Sequence, residues 1–262
     1  MAAWSSHRSE RITFIGRLEG KPYTLPEGST TALNPNRAQT IRQMPLYSAS
    51  EAGRFLHLPV STVRAWAFGQ GDRSKGNRFE SVIAAADRKS HKLSFVNLVE
   101  LLVLAAIRRK HKVPLPQVRK AVAFLHKRFP SQHPLADNDF QTNGVDLFVE
   151  KFGQLLNISR DGQIAMKELI KDYLRLVERD TSGVPVKLHL PRINQPVQKR
   201  GEVVIDPNFG FGRPVLDGKG IRVEVIVERF QAGESIASLA DDYGVSEDVI
   251  EEIIRNQLPL AA

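Results

Sequence analysis

The sequence predicts a mainly α fold with small β elements, and three observations carry that reading. Apolar residues recur at helical spacing in several separate stretches. Helix-start signals, a Ser or Pro just ahead of such a stretch, mark where they begin. Short pieces suited to strands are few and are bounded by Gly or Pro. The 262 residues suffice for two modest domains. They divide into a basic leader arm (1–43), a helix-rich unit (44–130), an α+β connector (131–200) and a small helical C-terminal domain (201–262).

The second unit opens with Tyr47 to Trp66, which reads as two short helices joined by a tight turn. Ser48 and Glu51 have capping-box spacing, each side chain satisfying a free N–H at the helix start. Ala52, Phe55 and Leu56 then share one face. His57-Leu58-Pro59 breaks the helix, and Pro59 is tolerated at the start of the next. Val63 faces back and Arg64 faces out. The pattern is that of a helix-turn-helix, whose second helix enters a DNA major groove. Ser61, Thr62, Arg64 and Trp66 are its candidate contacts, Trp66 either packing the core or lying on the backbone.

Ahead of this pair, residues 1–43 carry Arg8, Arg11, Arg17, Lys21, Arg37 and Arg42 among prolines, with Ile12 to Ile15 a possible short strand. The segment is either a loosely attached leader or an arm along phosphates. After the pair, Gly69 to Arg78 is glycine-rich and basic, and Phe79 to Ala84 is strand-like. Together they suggest a hairpin wing in which Arg73, Lys75 and Arg78 neutralise phosphates and Asn77 hydrogen-bonds one. A solvated hairpin tip is the bland alternative.

Leu98, Leu101, Leu102 and Ala105 mark the core stripe of the next helix; Val118, Ala121, Val122, Leu125 and Phe129 mark that of the one after, begun by Pro116. The segment Thr62-Val63-Arg64-Ala65-Trp66, followed by Ser94 to Leu98 and then Val113-Pro114-Leu115, resembles the MerR-like winged helix-turn-helix family over residues 45–130. Two positions depart from that family's pattern. His57 stands where the turn usually has Gly, and Pro59 where the second helix usually starts with Ser, a lost cap worth about 1 kcal/mol.

In the connector, Ser131 to Asn143 reads as a loop, Val145 to Lys151 and Gln154 to Ser159 as two strands about a turn at Phe152-Gly153, and Asp161-Gly162 as another turn. Ile164 to Glu178 is helical by pattern and Val184 to Leu190 alternates like a strand. Beyond a Pro-containing linker, Val203 to Ile205 suggests a strand, Val223 to Phe230 a helix, and two further helices flank Gly244.

This last pair is a second helix-turn-helix outline, and charge separates it from the first. The whole chain is +8, yet Ile221 to Arg255 holds nine acidic residues against three arginines, a net of −6 that leaves +14 elsewhere. A helix beginning Glu247-Asp248 repels phosphates, so Glu247, Asp248, Glu251 and Glu252 are candidate protein-binding residues. Gly212 to Val223, Gly233 to Ile236 and Asp242 to Ser246 resemble a domain of unknown function (family 433) over residues 203–256. Joined to a MerR-like reader, it resembles VapB-type antitoxins of type II toxin–antitoxin modules.

The resemblance implies a PIN-like ribonuclease toxin as partner and repression of the chain's own operon. Two-fold operators favour a homodimer on double-stranded DNA. The other function class is a stand-alone MerR-like transcriptional regulator responding to a small ligand bound in residues 131–200. Catalysis is not expected, because the seven histidines are scattered and no nucleophile–base pairing stands out; no catalytic residue, cofactor or metal site is assigned. The chain lacks Cys and has no apolar run long enough to span a bilayer, so a cytoplasmic location with no membrane partner is expected.

Overall fold

The structure, a computed structural model, describes residues 17–18, 21–22, 40–69, 80–111, 114–129, 131–192 and 200–257. Most of the leader, including Ile12 to Ile15, lies outside them. Arg17–Leu18 (β1) and Lys21–Pro22 (β2) form a two-stranded antiparallel pair.

The predicted helix pair is present as α1 (Ala49–Leu56) and α2 (Val60–Ala67). The Ser48 hydroxyl accepts from the Glu51 N–H at 3.2 Å while the Ser48 N–H donates to Glu51 Oε2 at 2.8 Å, closing the capping box. His57 ends α1 in the left-handed region (φ 52°), where glycine is usual and another residue costs roughly 1–2 kcal/mol. It is held there by its Nε2–H, which donates to the Pro191 carbonyl at 2.9 Å. Pro59 starts α2 without a side-chain cap, as the sequence leads one to expect.

Behind the pair runs α3 (Phe95–His111), whose residues from Phe95 to Ile107 are all buried. Its start is fixed by Ser94 and Asn97, each side chain bonding the other's backbone N–H. Glu100 is buried on α3, and Asn97 Nδ2 and His133 Nδ1 reach its carboxyl at 3.1 and 3.0 Å. α4 (Leu115–Arg128) buries Val118, Ala121, Val122 and Leu125, the expected stripe, and packs on α5 (Val145–Leu156).

Here the strand expectation fails. Residues 145–156 are one helix, preceded by a π-helical turn (Phe140–Gly144) in the stretch read as loop. Val145, Phe148, Val149 and Phe152 have helical spacing and all are buried, which outweighs the local alternation. Gly153 is not a turn. It lies inside α5, where a Cβ would come within 2.4 Å of Gln163 on α6 (Arg160–Leu174). Likewise Asp161-Gly162 is the first turn of α6, capped by Ser159.

Four strands follow in an antiparallel meander: β3 (Val177–Arg179), β4 (Pro185–His189), β5 (Val203–Ile205) and β6 (Val215–Leu216). Leu188 pairs with Ile205 and Val203 with Leu216. A 3₁₀ turn (Gly210–Gly212) precedes β6, and α7 (Val223–Gln231), α8 (Ile236–Tyr243) and α9 (Glu247–Gln257) complete the described chain. One apolar cluster runs from Tyr47 to Ile205 and a second from Leu216 to Ile254. The sheet joins them.

Candidate nucleic-acid interface

α2 divides its residues sharply between two sides. Val63, Ala65, Trp66 and Ala67 are buried, whereas Ser61 and Arg64 are exposed. Thr62 is only 7% exposed and so turns away from the groove in which the sequence places it, while Trp66, 2% exposed, takes the core position of the two that the sequence left open. The reason is period. On a short helix positions 62, 63 and 66 fall on the inward arc, and the Trp66 carbonyl accepts from the Val82 and Ile83 N–H groups at 2.7 and 3.2 Å.

Beside Arg64 lies a cleft of about 540 Å³, lined by Ser48, Ser50, Arg64, Ser90, His91 and Lys92 among others. The N-terminus of α1 opens into it, bringing the positive end of the helix dipole to the same face. The opposite wall is a tight turn from Asp87 to Lys92, closed by the two backbone hydrogen bonds between those residues at 3.0 and 2.9 Å. The Asp87 carboxylate accepts from the Lys89 and Ser90 N–H groups and the Ser90 hydroxyl, which lower its pKa and stiffen the turn. Arg88 is tied to Ser81 Oγ and the Phe68 carbonyl, and the His91 ring meets Phe68 edge-on at 4.9 Å. Lys89 stays exposed and Lys92 half-buried.

The sequence points instead to the glycine-rich basic run upstream, Gly69 to Arg78, as the wing. Arg73, Lys75, Asn77 and Arg78 lie outside the described residues, and no strand forms over 80–84. The basic, Asp-led segment Asp87 to Lys92 is the available signal for this turn.

The C-terminal unit packs on α1. Tyr47 Oη–H donates to the Gly212 carbonyl at 2.8 Å, and burial pushes its pKa up. Arg213 ion-pairs with Glu51. Arg192 ion-pairs with Glu252, which is half-buried, and desolvation raises its pKa despite the arginine. Glu251 pairs with Arg255 one turn on, while Glu247 and Asp248 remain exposed.

Among the described residues, Glu178, His189 and Asp217 have the make-up of a metal site, with ligand atoms within 4.8 Å of one another. A cation already fills it. Lys187 Nζ lies 2.9 Å from Asp217 and 3.8 Å from Glu178. His189 Nδ1–H donates to the Gly201 carbonyl at 3.1 Å and its Nε2 meets Glu178 at 2.6 Å. The group is a joint between β3, β4 and the turn after β6.

Residues 45–122 match a family model described as "Putative DNA-binding HTH domain", and residues 203–255 one described as "Protein of unknown function (DUF433)". A Mycobacterium tuberculosis (strain ATCC 25618 / H37Rv) protein described as "Putative antitoxin VapB45" is 32% identical over 230 residues, covering 80% of this chain and 93% of its own length. This chain belongs to the VapB antitoxin family. A second relative of this VapB-family chain, "Uncharacterized protein Rv2308" of the same organism, is 26% identical over 80% of this chain and 88% of its own. The VapB-family fold is shared with the crystal structure of Rv2018 from M. tuberculosis (TM-score 0.61, 27% identity), which spans 80% of this chain and 97% of the other. Among the described residues, no helix of this VapB-family protein is long and apolar enough to cross a membrane.

Proposed function

We propose that this chain is a cytoplasmic antitoxin that binds and neutralises a PIN-like ribonuclease toxin and represses its own operon as a MerR-like homodimer. The carrying observation is the convergence of Arg64, the α1 N-terminus and the Asp87–Lys92 turn on one cleft. Arg64 offers a two-pronged donor to a guanine edge, the commonest specific major-groove contact. Lys89 and Lys92 neutralise phosphates, and Ser61 hydrogen-bonds the backbone. On sequence grounds Arg73, Lys75, Asn77 and Arg78 add phosphate contacts. Thr62 and Trp66 support the reader from within.

The test has two arms. The first titrates the purified full chain into duplexes carrying the upstream region of its own gene and into scrambled duplexes. Preference for the former by a hundredfold or more supports operon repression; equal affinity rejects it. The second expresses the adjoining gene with and without this chain. Growth arrest relieved only by co-expression supports neutralisation, and arrest that persists rejects it.

A further inference from the structure

The turn that holds α1 also presents the most exposed aromatic side chain among the described residues. Phe211 is 91% exposed and occupies the left-handed region (φ 55°, ψ 33°). A bulky residue in that region is strained, and a phenyl ring in water contributes nothing to the core. Phe209, two residues earlier, is 51% exposed. Its ring covers Gly220 at the rim of an open cleft of about 310 Å³ floored by Val204, Val215 and Leu216. From behind, the turn is fixed by the Tyr47 bond to the Gly212 carbonyl and by the Arg213–Glu51 pair. Two rings are thus displayed on a braced support. Rigid, pre-oriented aromatics are what protein interfaces use as anchors.

The charge around the rings narrows the occupant. Lys219, on the cleft wall, approaches Gly244 so closely that a Cβ there would lie 3.2 Å from its Nζ. The cleft therefore abuts the α8–α9 turn, beyond which α9 starts with exposed Glu247 and Asp248. The cleft's own lining is balanced, Lys187 and Lys219 against Asp206 and Asp217, so the acidic start of α9 sets the sign of the flank and repels nucleic acid. A second copy is disfavoured as well, since symmetric docking here brings two units of net −6 together.

We propose that Phe209 and Phe211 anchor the toxin, entering an apolar socket whose rim carries cations opposite Glu247 and Asp248. The inference rests on the antitoxin reading above. It moves the centre of the partner surface from α9 to the Phe209–Arg213 turn.

The experiment titrates the purified product of the adjoining gene into the full chain, comparing wild type with Phe211→Gly and Phe209→Ser. Phe211→Gly removes both ring and strain, so the fold is kept. The expected result is a loss of partner affinity of thirtyfold or more in each variant, with operator affinity and melting temperature preserved. Wild-type binding that both variants retain overturns the anchor and leaves the antitoxin reading standing. No binding by wild type overturns both. A variant that changes the sedimentation mass of the free chain while holding partner affinity assigns the patch to self-association, which also overturns the inference.

Discussion

Arg213 pairs with Glu51 across 162 positions of sequence, and Glu51 is the residue that closes the capping box of α1. The C-terminal unit therefore grips the DNA reader at the helix cap itself. Burial alone would raise the Glu51 pKa; the Ser48 N–H and hydroxyl, with Arg213, overcome it and bring it to about 2.

That depression gives the contribution a sign. A carboxyl more acidic in the folded chain stabilises it above the unfolded value near 4.5, and the gain is lost as pH falls toward 2. Glu51→Gln keeps an acceptor for the Ser48 N–H but loses the charge that Arg213 pairs with, and is expected to cost about 1 kcal/mol at pH 7. It should also flatten the stability profile between pH 4.5 and 2. Urea unfolding at a series of pH values measures this, and parallel wild-type and variant profiles would contradict it.

Arg64 and Lys92 face the same cleft and should fail differently. Arg64→Ala is expected to lose about 1–3 kcal/mol of discrimination between operator and scrambled DNA with little change in salt slope. Lys92→Ala should weaken both duplexes alike and lower the slope by about one. Fluorescence anisotropy from low to moderate salt separates the two. Matching slopes for the variants would remove the distinction.

Thr62 and Trp66 give the converse test, because both are buried. Trp66→Ala is expected to cost about 3–5 kcal/mol in thermal or urea unfolding. Thr62→Val should keep operator affinity within about threefold. A larger affinity loss in a folded Thr62→Val protein would return that residue to the interface.

Gly212 has φ 71°, and a Cβ there would lie 2.5 Å from Tyr47 Oη. Gly212→Ala is therefore expected to dislodge the Tyr47 bond and destabilise the chain by about 2 kcal/mol. Tyr47→Phe should cost about 1 kcal/mol, leaving the Gly212 carbonyl without its donor. Equal melting temperatures for Gly212→Ala and wild type would show that the joint tolerates the clash.

What the sequence revealed, and what it hid, follows from the range of the interactions. The capping box at Ser48 and Glu51 is local and was legible residue by residue. So was the outward aim of Arg64. The assignment of Gly153 to a turn failed because its cause is Gln163 on a neighbouring helix. Thr62 looked like a contact because motif position does not register a degree of burial set by packing around α2. The pairing of Glu252 was hidden because its partner, Arg192, is sixty positions away. The Asp87–Lys92 turn was hidden differently. It lacks glycine, so a richer glycine run outcompeted it as a wing signal.

The meander of β3 to β6 has a practical consequence for dissecting this protein. β4 hydrogen-bonds to β5 through Leu188 and His189, although the family-433 match begins only at residue 203. A chain cut near residue 200 leaves β4 with an open row of N–H and C=O groups, and the excised piece begins with a strand that has lost one neighbour. Open strand edges recruit other chains. Each half made alone is expected to aggregate or to pair with copies of itself. Full-length protein carrying point substitutions is therefore the material on which the two proposed binding activities can be separated.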